Sequence, residues 1–425
     1  MSPPSAYMPR LVDDELDELL AGLPAIAVEG PRAVGKTATA QRRAATVHRL
    51  DEEGERAIAA ADPSRLVRGE RPILIDEWQR LPESFDRVRR AVDDGAEPAS
   101  FLLTGSALPT KLPAHSGAGR IVRVRLRPMT LAERGIELPT VSLSRILEGD
   151  RPRVKGRTDI DLERYVEEIL ASGFPAVRRL DPSLRQRQLD GYLDHIVDRD
   201  FEELDHAVRR PATLRRWMAA YAAATATVAS FEKIRAAATS ELGKAPARPT
   251  TQPYRDVLQR LWVLDPVEAW LPTRNRIRRL TAPPKHHLAD PALAARLLGV
   301  DASVLLRGEA GLSVPRDGTL LGALFESLVT LCVRVYAQRA SARVGHLRTW
   351  SGEHEVDLIV ERGRAVVAIE VKLGQVADDR DVRHLRWLQR ELGDDLVDAI
   401  VVTSGREAYR REDGIAVVPA ALLGP

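Results

Sequence analysis

Ile26-Ala27-Val28-Glu29-Gly30-Pro31-Arg32-Ala33-Val34-Gly35-Lys36-Thr37 is the stretch whose reading decides the fold. A short apolar run closes on a glycine, and after four intervening residues come Gly35, Lys36 and Thr37. Helix-forming residues continue from Ala38 to Arg43. This is the pattern G-x-x-x-x-G-K-[ST] between a strand and a helix, the setting in which it binds phosphate. Glycines let successive N–H groups turn inward around the anion, and the helix adds its positive N-terminal end. Lys36 is placed to reach the β- and γ-phosphates of a nucleoside triphosphate, and the Thr37 hydroxyl to ligate Mg²⁺.

Working outward, the spacing predicts a helix over 10–22, strand 25–29, helix 36–45 and strand 47–50. Arg71 to Glu77 reads as a buried strand ending in two carboxylates. Ala99 to Ser106 reads as another, ending in hydroxyls, and Ile121 to Leu126 alternates like a half-exposed strand. Strands alternating with helices imply a parallel sheet with ligands at the carboxyl ends of its strands. Asp76 then suits a Mg²⁺ held through water, and Glu77 a general base that polarises the attacking water. Thr104, or Ser106, is placed to sense the γ-phosphate. Arg120 is the candidate for the cation that neutralises transition-state charge, in cis or from a neighbouring subunit.

Composition bounds the rest. A chain of 425 residues exceeds one average domain, and 44% apolar residues suffice for ordinary cores. A net charge of +2 argues neither for nor against nucleic acid, so any basic surface must be local. The single cysteine, Cys332, excludes internal disulfides and multi-cysteine metal sites, and fits a reducing compartment. The acidic start resembles no signal peptide, and no apolar run is expected to span a membrane. The expected location is cytoplasmic. Only seven lysines stand among the 63 basic residues, and Lys36 and Lys372 are two of them.

The run Gly149 to Arg157 reads as a linker, and 160–240 as helical. A helix over 251–261, with polar Gln252, Tyr254, Arg255 and Gln259, precedes short strand-like runs at 262–264 and 267–271. That order is the order of a winged helix, with Arg274, Arg276, Arg278 and Arg279 as a basic wing. It fits a DNA contact, and equally a packing module between domains. Further on, Asp357 opens a strand and Glu370-x-Lys372 ends the next, so that Glu370 and Lys372 share a face. This is the D…E-x-K arrangement of the restriction-endonuclease-like fold. Two carboxylates hold Mg²⁺ there and the lysine activates water for phosphodiester hydrolysis, with Glu326 as a further acidic ligand. A cross-strand ion pair explains the same spacing.

Tyr7-x-Pro9-Arg10, Gly30-Pro31-Arg32-x-x-Gly35-Lys36-Thr37, Ile75-Asp76-Glu77-x-Gln79, Leu103-Thr104-Gly105-Ser106, Gly119-Arg120 and Pro128-Met129-Thr130 resemble prokaryotic AAA-type P-loop ATPases of the archaeal-ATPase-related group. Gly173-x-Pro175, Tyr192-Leu193-Asp194 to Asp198-Arg199-Asp200, Phe325-Glu326, Glu355-Val356-Asp357 and Glu370-Val371-Lys372 resemble the domain of unknown function usually fused to them. Trp78 stands where that family usually has an aliphatic residue. The resemblance implies an α/β chain: an AAA-type domain with a parallel sheet (1–150), a helical and winged-helix region (159–284), and an endonuclease-like domain (285–425). It implies nucleotide contacts from Arg10, Gly30, Pro31, Arg32, Ala33, Val34, Gly35, Lys36, Thr37 and Ala38. Catalytic roles fall to Lys36, Glu77, Thr104, Arg120 and Lys372, and metal contacts to Thr37, Asp76, Glu326, Asp357 and Glu370. The expected function is Mg²⁺-dependent ATP hydrolysis coupled to domains that engage double-stranded DNA. The alternatives are an ATP-gated nuclease and a nucleotide-controlled binding module that does not cut. An arginine finger in trans requires a homo-oligomer.

Overall fold

A computed structural model describes residues 7–107, 117–149, 153–204, 206, 208, 210–239, 245–270, 282–307, 319–349 and 352–425. The first sheet is built from β1 (Ala25–Glu29), β2 (Thr46–Arg49), β3 (Ile73–Asp76), β4 (Phe101–Gly105) and β5 (Val122–Arg125). Its order is β2-β3-β4-β1-β5 and every pairing is parallel. β4 therefore lies between the strand that leads into the phosphate loop and the strand that ends in Asp76. That order brings Thr104 beside Asp76.

β1, β3 and β4 are buried on both faces, and alternation assigns their side chains to two cores. Ile73, Ile75, Phe101 and Leu103 join Trp78, Phe85 and Leu66 on one face. Leu74, Leu102, Ile26 and Val28 face the other way, into a core that continues through the helical region and the C-terminal helices. Trp78, the departure from the aliphatic residue, is buried with its ring 4.8 Å from that of Phe85. Burying such a ring stabilises by roughly 1.5–3 kcal/mol.

β5 departs from the alternation expected of it. Val124 is buried, but Val122 is 38% exposed. The guanidinium of Arg125 lies instead inside the molecule, 3.6 Å above the Trp262 ring. This cation–π contact offsets part of the desolvation of a guanidinium that has no hydrogen-bond partner among the described residues.

The second sheet contains β7 (Gly156–Arg157), β8 (Arg343–Arg348), β9 (Glu355–Arg362), β10 (Ala365–Lys372), β11 (Leu396–Thr403), β12 (Glu407–Arg410) and β13 (Ala416–Pro419), in the order β7-β12-β13-β11-β10-β9-β8. β8, β9 and β10 form an antiparallel meander. Helix Arg383–Leu392 then returns the chain to β11, which pairs parallel to β10. Gly156 and Arg157, read above as part of a linker, form the edge strand of this sheet. β6 (Val141–Ser142) pairs with β14 (Leu423–Gly424), so the end of the chain closes onto the segment after the first sheet.

Helix Thr319–Arg339 is the core helix of this half. Over Leu320–Arg339 its mean hydropathy is 1.6, so by length and composition it could span a membrane, contrary to the reading of the apolar runs above. It is 67% buried inside the fold, where Phe325 packs edge-on against Tyr165 at 5.3 Å.

The middle region is helical at Leu162–Leu170, Pro182–His195, Pro211–Ala223, Phe231–Ala237 and Arg248–Arg260. Among the described residues, the runs at 262–264 and 267–270 do not pair with each other. Leu264 bridges to Leu288 and Val267 to Lys285, both antiparallel. Tyr254, read as a polar recognition residue, is buried against Phe201 and Trp217. Gln252 and Gln259 are exposed. Arg274, Arg276, Arg278 and Arg279 lie outside the described residues. Asp265 ties the regions together: it accepts from Arg127 at 2.9 Å, and Arg334 lies 3.1 Å away.

Candidate active site

The phosphate loop takes its shape from two glycines. A Cβ on Gly30 would lie 2.2 Å from the Leu126 carbonyl oxygen, so only glycine lets β1 leave the sheet there. Gly35 has φ of 105°, in the left-handed region, immediately before helix Lys36–Gln41. Arg10 braces the loop from behind. It donates to the Val34 carbonyl at 3.0 Å and to Glu133 at 3.0 Å, and it also reaches the Arg127 carbonyl. Its expected contact with the nucleotide is therefore corrected to a contact with the loop's backbone.

A cleft of about 510 Å³ opens over the loop, lined by Arg32, Ala33, Gly35, Lys36, Thr37, Ala38, Asp51, Asp76, Glu77, Arg80 and Ser106. Lys36 donates to the carbonyls of Gly30 at 3.0 Å and Pro31 at 2.8 Å. Burial pushes its ammonium down to about 8, against the pull of Glu77 and Asp76. At the floor, Asp76 accepts from the Thr37 hydroxyl at 2.8 Å and from the Thr104 hydroxyl. Burial raises the Asp76 carboxyl, and these two bonds oppose the rise. Thr104 is fully buried and touches Asp76, so it positions that carboxylate; the residue of the pair that lines the cleft is Ser106.

Glu77 has φ of 55°, uncommon for a residue with a side chain. The turn lifts its carboxylate over the strand end. Ser106 donates to it at 2.6 Å and Gln79 at 2.5 Å.

Arg120 is not part of this cleft. It precedes β5, which runs parallel to β1, so it sits at the amino end of the sheet, opposite the phosphate loop. Its guanidinium donates to Asp93 at 2.8 Å on the surface. A role for Arg120 within its own chain is thereby corrected. The arginines that do reach the cleft, among the described residues, are Arg32 and Arg80, and both are held by the helical region. Arg32 lies 2.7 Å from Asp200 and 2.6 Å from Glu203, while Arg80 lies 3.1 Å from Glu203. Asp200 belongs to a π-helical turn, Ile196–Asp200, after helix Pro182–His195, a feature frequent at functional sites. Sequence reading missed Asp51, Arg80, Asp200 and Glu203. Only the acidic Asp198-Arg199-Asp200 run pointed toward the last two.

The C-terminal residues come together, but not as expected. Glu326, Asp357 and Glu370 lie at one end of the meander with Lys372. Lys285, which sequence reading overlooked, stands among them. Its ammonium is 2.9 Å from Glu326, 2.9 Å from Asp357 and 3.7 Å from Glu355. Burial opposes that charge, yet Asp357 and Glu326 outweigh it and hold Lys285 above the usual lysine range. The second Asp357 oxygen accepts from the Val371 N–H at 2.8 Å, and Lys372 donates to Glu370 at 2.8 Å. The expected metal set of Glu326, Asp357 and Glu370 is thus already bonded to protein cations and backbone. Among the described residues no group of three metal-ligating side chains is poised for an ion. A divalent cation does not fit this cluster as folded.

Residues 23–134 match the AAA domain family. Residues 162–304 and 321–423 match two domains of unknown function, DUF8612 and DUF4143. Uncharacterized proteins of Mycobacterium bovis and Mycobacterium tuberculosis are each 26% identical over 407 residues, covering 93% of this chain and 80% of theirs. A Walker-type ATPase of Pyrococcus abyssi superposes with a TM-score of 0.39 at 16% identity, over 67% of this chain and 94% of that one. The glycine-shaped loop, Lys36 and the paired carboxylates at the end of β3 all lie within the residues that match the AAA domain family.

Proposed function

We propose that the chain hydrolyses ATP in the cleft over Gly30–Ala38, with Glu77 as general base. The observation that carries this is the convergence of Lys36, Thr37, Asp76, Glu77 and Ser106 on one cleft. Thr37 and Asp76 are hard oxygen donors that suit Mg²⁺, which when bound neutralises the β- and γ-phosphate oxygens. Lys36 exchanges the carbonyls of Gly30 and Pro31 for phosphate oxygens. Glu77 takes a proton from water as the water oxygen bonds to the γ-phosphorus. The bond from that phosphorus to the bridging oxygen breaks, and ADP leaves with the electron pair. Ser106 and Gln79 hold the Glu77 carboxylate in place. Arg32 and Arg80 supply positive charge in cis, aimed by Asp200 and Glu203.

Phosphate release from ATP by the purified chain tests this. Lys36→Ala should lose nearly all turnover, and unchanged turnover would sink the proposal. Double-stranded DNA is the partner we propose for the helical region. The support is three helices at 211–260 followed by the antiparallel bridges Leu264–Leu288 and Val267–Lys285. Binding of duplex DNA that weakens steeply with salt is the expected outcome, and no binding at low salt would remove this partner.

A further inference from the structure

We infer that Lys285 is the resident cation of the C-terminal carboxylate cluster, and that the cluster is an ion-paired joint between segment 282–289 and the sheet, not a divalent-metal centre. The inference is independent of the ATPase reading.

The position of Lys285 is set by the backbone before its side chain makes any contact. Its N–H donates to the Val267 carbonyl and its carbonyl accepts from the Val267 N–H, both at 2.9 Å. His346 fixes the same segment from the sheet side. Its ring faces the Pro283 carbonyl at 3.1 Å, and its main chain bonds to Glu268 and Trp270. The ammonium is therefore delivered to its place by a clamped strand, and only 1% of the Lys285 side chain is exposed. A surface lysine that had swung inward would lack that support.

What the ammonium meets is a bridging position. It lies equally far, 2.9 Å, from one oxygen of Glu326 and one of Asp357. These come from helix Thr319–Arg339 and from β9, two of the three elements whose carboxylates were expected to hold a metal. Other oxygens of the set are also engaged. Asp357 spends its second oxygen on the Val371 N–H, and Glu370 spends one on Lys372. The second oxygen of Glu326 and Oε2 of Glu370 stay outside these bonds, the latter buried without a partner among the described residues. They mark where an ion would enter if Lys285 were removed. A divalent ion at the bridging position would meet the ammonium's like charge within a shared pair of oxygens, so the two exclude each other.

The test uses the full chain without nucleotide in an Asp76→Asn background, so that the phosphate-loop floor contributes no metal site. Free Mn²⁺ is followed by electron paramagnetic resonance during titration. The expected result is no Mn²⁺ bound at micromolar protein and metal. One Mn²⁺ per chain, abolished by Asp357→Asn, would overturn the inference. The second arm removes the lysine. Lys285→Ala should lower Tm, and millimolar Mn²⁺ should recover part of the loss while leaving the parent protein's Tm unchanged. A Lys285→Ala chain as stable as the parent, and indifferent to Mn²⁺, would also overturn it. Because that variant can fail to fold, Lys285→Met/Asp357→Asn is measured beside it. Removing both charges should restore Tm relative to Lys285→Met alone, and no restoration would count against the ion-paired joint.

Discussion

The phosphate-loop cleft and the C-terminal carboxylate cluster use the same materials and pair them differently. Each has a buried lysine beside carboxylates at the ends of strands. In the cleft, Lys36 bonds to two neutral carbonyls of its own loop. Asp76 and Glu77 bond to hydroxyls and an amide, so cation and anions remain unpaired with one another. In the cluster, Lys285 bonds directly to the carboxylates. Trading neutral carbonyls for a phosphate costs little, whereas breaking a buried ion pair costs about 3–5 kcal/mol. One site is poised to receive an anion and the other has satisfied itself. The chain joins them closely. Five residues after Lys285, Asp290 accepts from Ser172 at 2.8 Å and from the Gly173 N–H at 2.6 Å. Pro175, just beyond, comes within 3.9 Å of where a Cβ on Gly35 would stand.

The contrast can be broken most sharply at Lys36. Lys36→Ala should reduce ATP turnover by roughly 10²–10³-fold, the usual loss when one preorganised donor to the transferring phosphate is removed. Stopped-flow phosphate release checks it, and a loss under tenfold would place the chemistry elsewhere.

A smaller effect follows from pH. Burial lowers the Lys36 ammonium to about 8, while the unfolded chain keeps it near the ordinary lysine value. Between those values the unfolded state binds more protons, so Lys36 destabilises the fold fully below about pH 8 and ceases to do so as pH rises toward the unfolded value. ATP needs the charged form. Its affinity should therefore fall above pH 8, approaching about tenfold per pH unit, with proton uptake on binding. Calorimetry in buffers of different ionisation enthalpy reads that uptake. Affinity flat from pH 7 to 9.5 would mean that Lys36 stays charged without nucleotide.

Glu203 sharpens the comparison, because it pairs with cations of the cleft from outside it. Glu203→Gln should lower kcat by about three- to tenfold with KM nearly unchanged, since the partly exposed pairs with Arg32 and Arg80 are worth about 1 kcal/mol. A change in KM alone would make Glu203 a binding residue. Arg120→Ala should have the least effect. Its surface pair with Asp93 contributes about 0–1 kcal/mol, so turnover at protein concentrations where the chain is monomeric should stay within about twofold. A collapse there would restore Arg120 to the cleft of its own chain.

The cleft was legible in the sequence because its chemistry is local. Glycine spacing, a lysine, and two carboxylates closing an apolar run are all read within a few residues. The parallel sheet followed from the same periodicity. What was not legible depends on contacts across the chain. Arg125 alternates like an exposed residue, but Trp262 and Asp265 arrive from far along the sequence to cover it. Arg32 and Arg80 gain their roles only when Asp200 and Glu203 fold over them. Arg120 follows Gly119 in the expected motif, yet the parallel direction of β5 puts it at the other end of the sheet from the phosphate loop. The scarcity of lysine that singled out Lys36 and Lys372 applied equally to Lys285. Nothing in its Pro-Pro-Lys-His-His setting pointed to carboxylates some forty and seventy residues later.

The most direct test of the central claim separates holding ATP from cutting it. In Glu77→Gln the phosphate loop, Thr37 and Asp76 remain, and only the proton acceptor is lost. Equilibrium binding of a fluorescent ATP analogue should stay within about threefold of the parent, while single-turnover hydrolysis should fall by roughly 10²–10⁴-fold. Hydrolysis at the parent rate with binding intact would contradict the account.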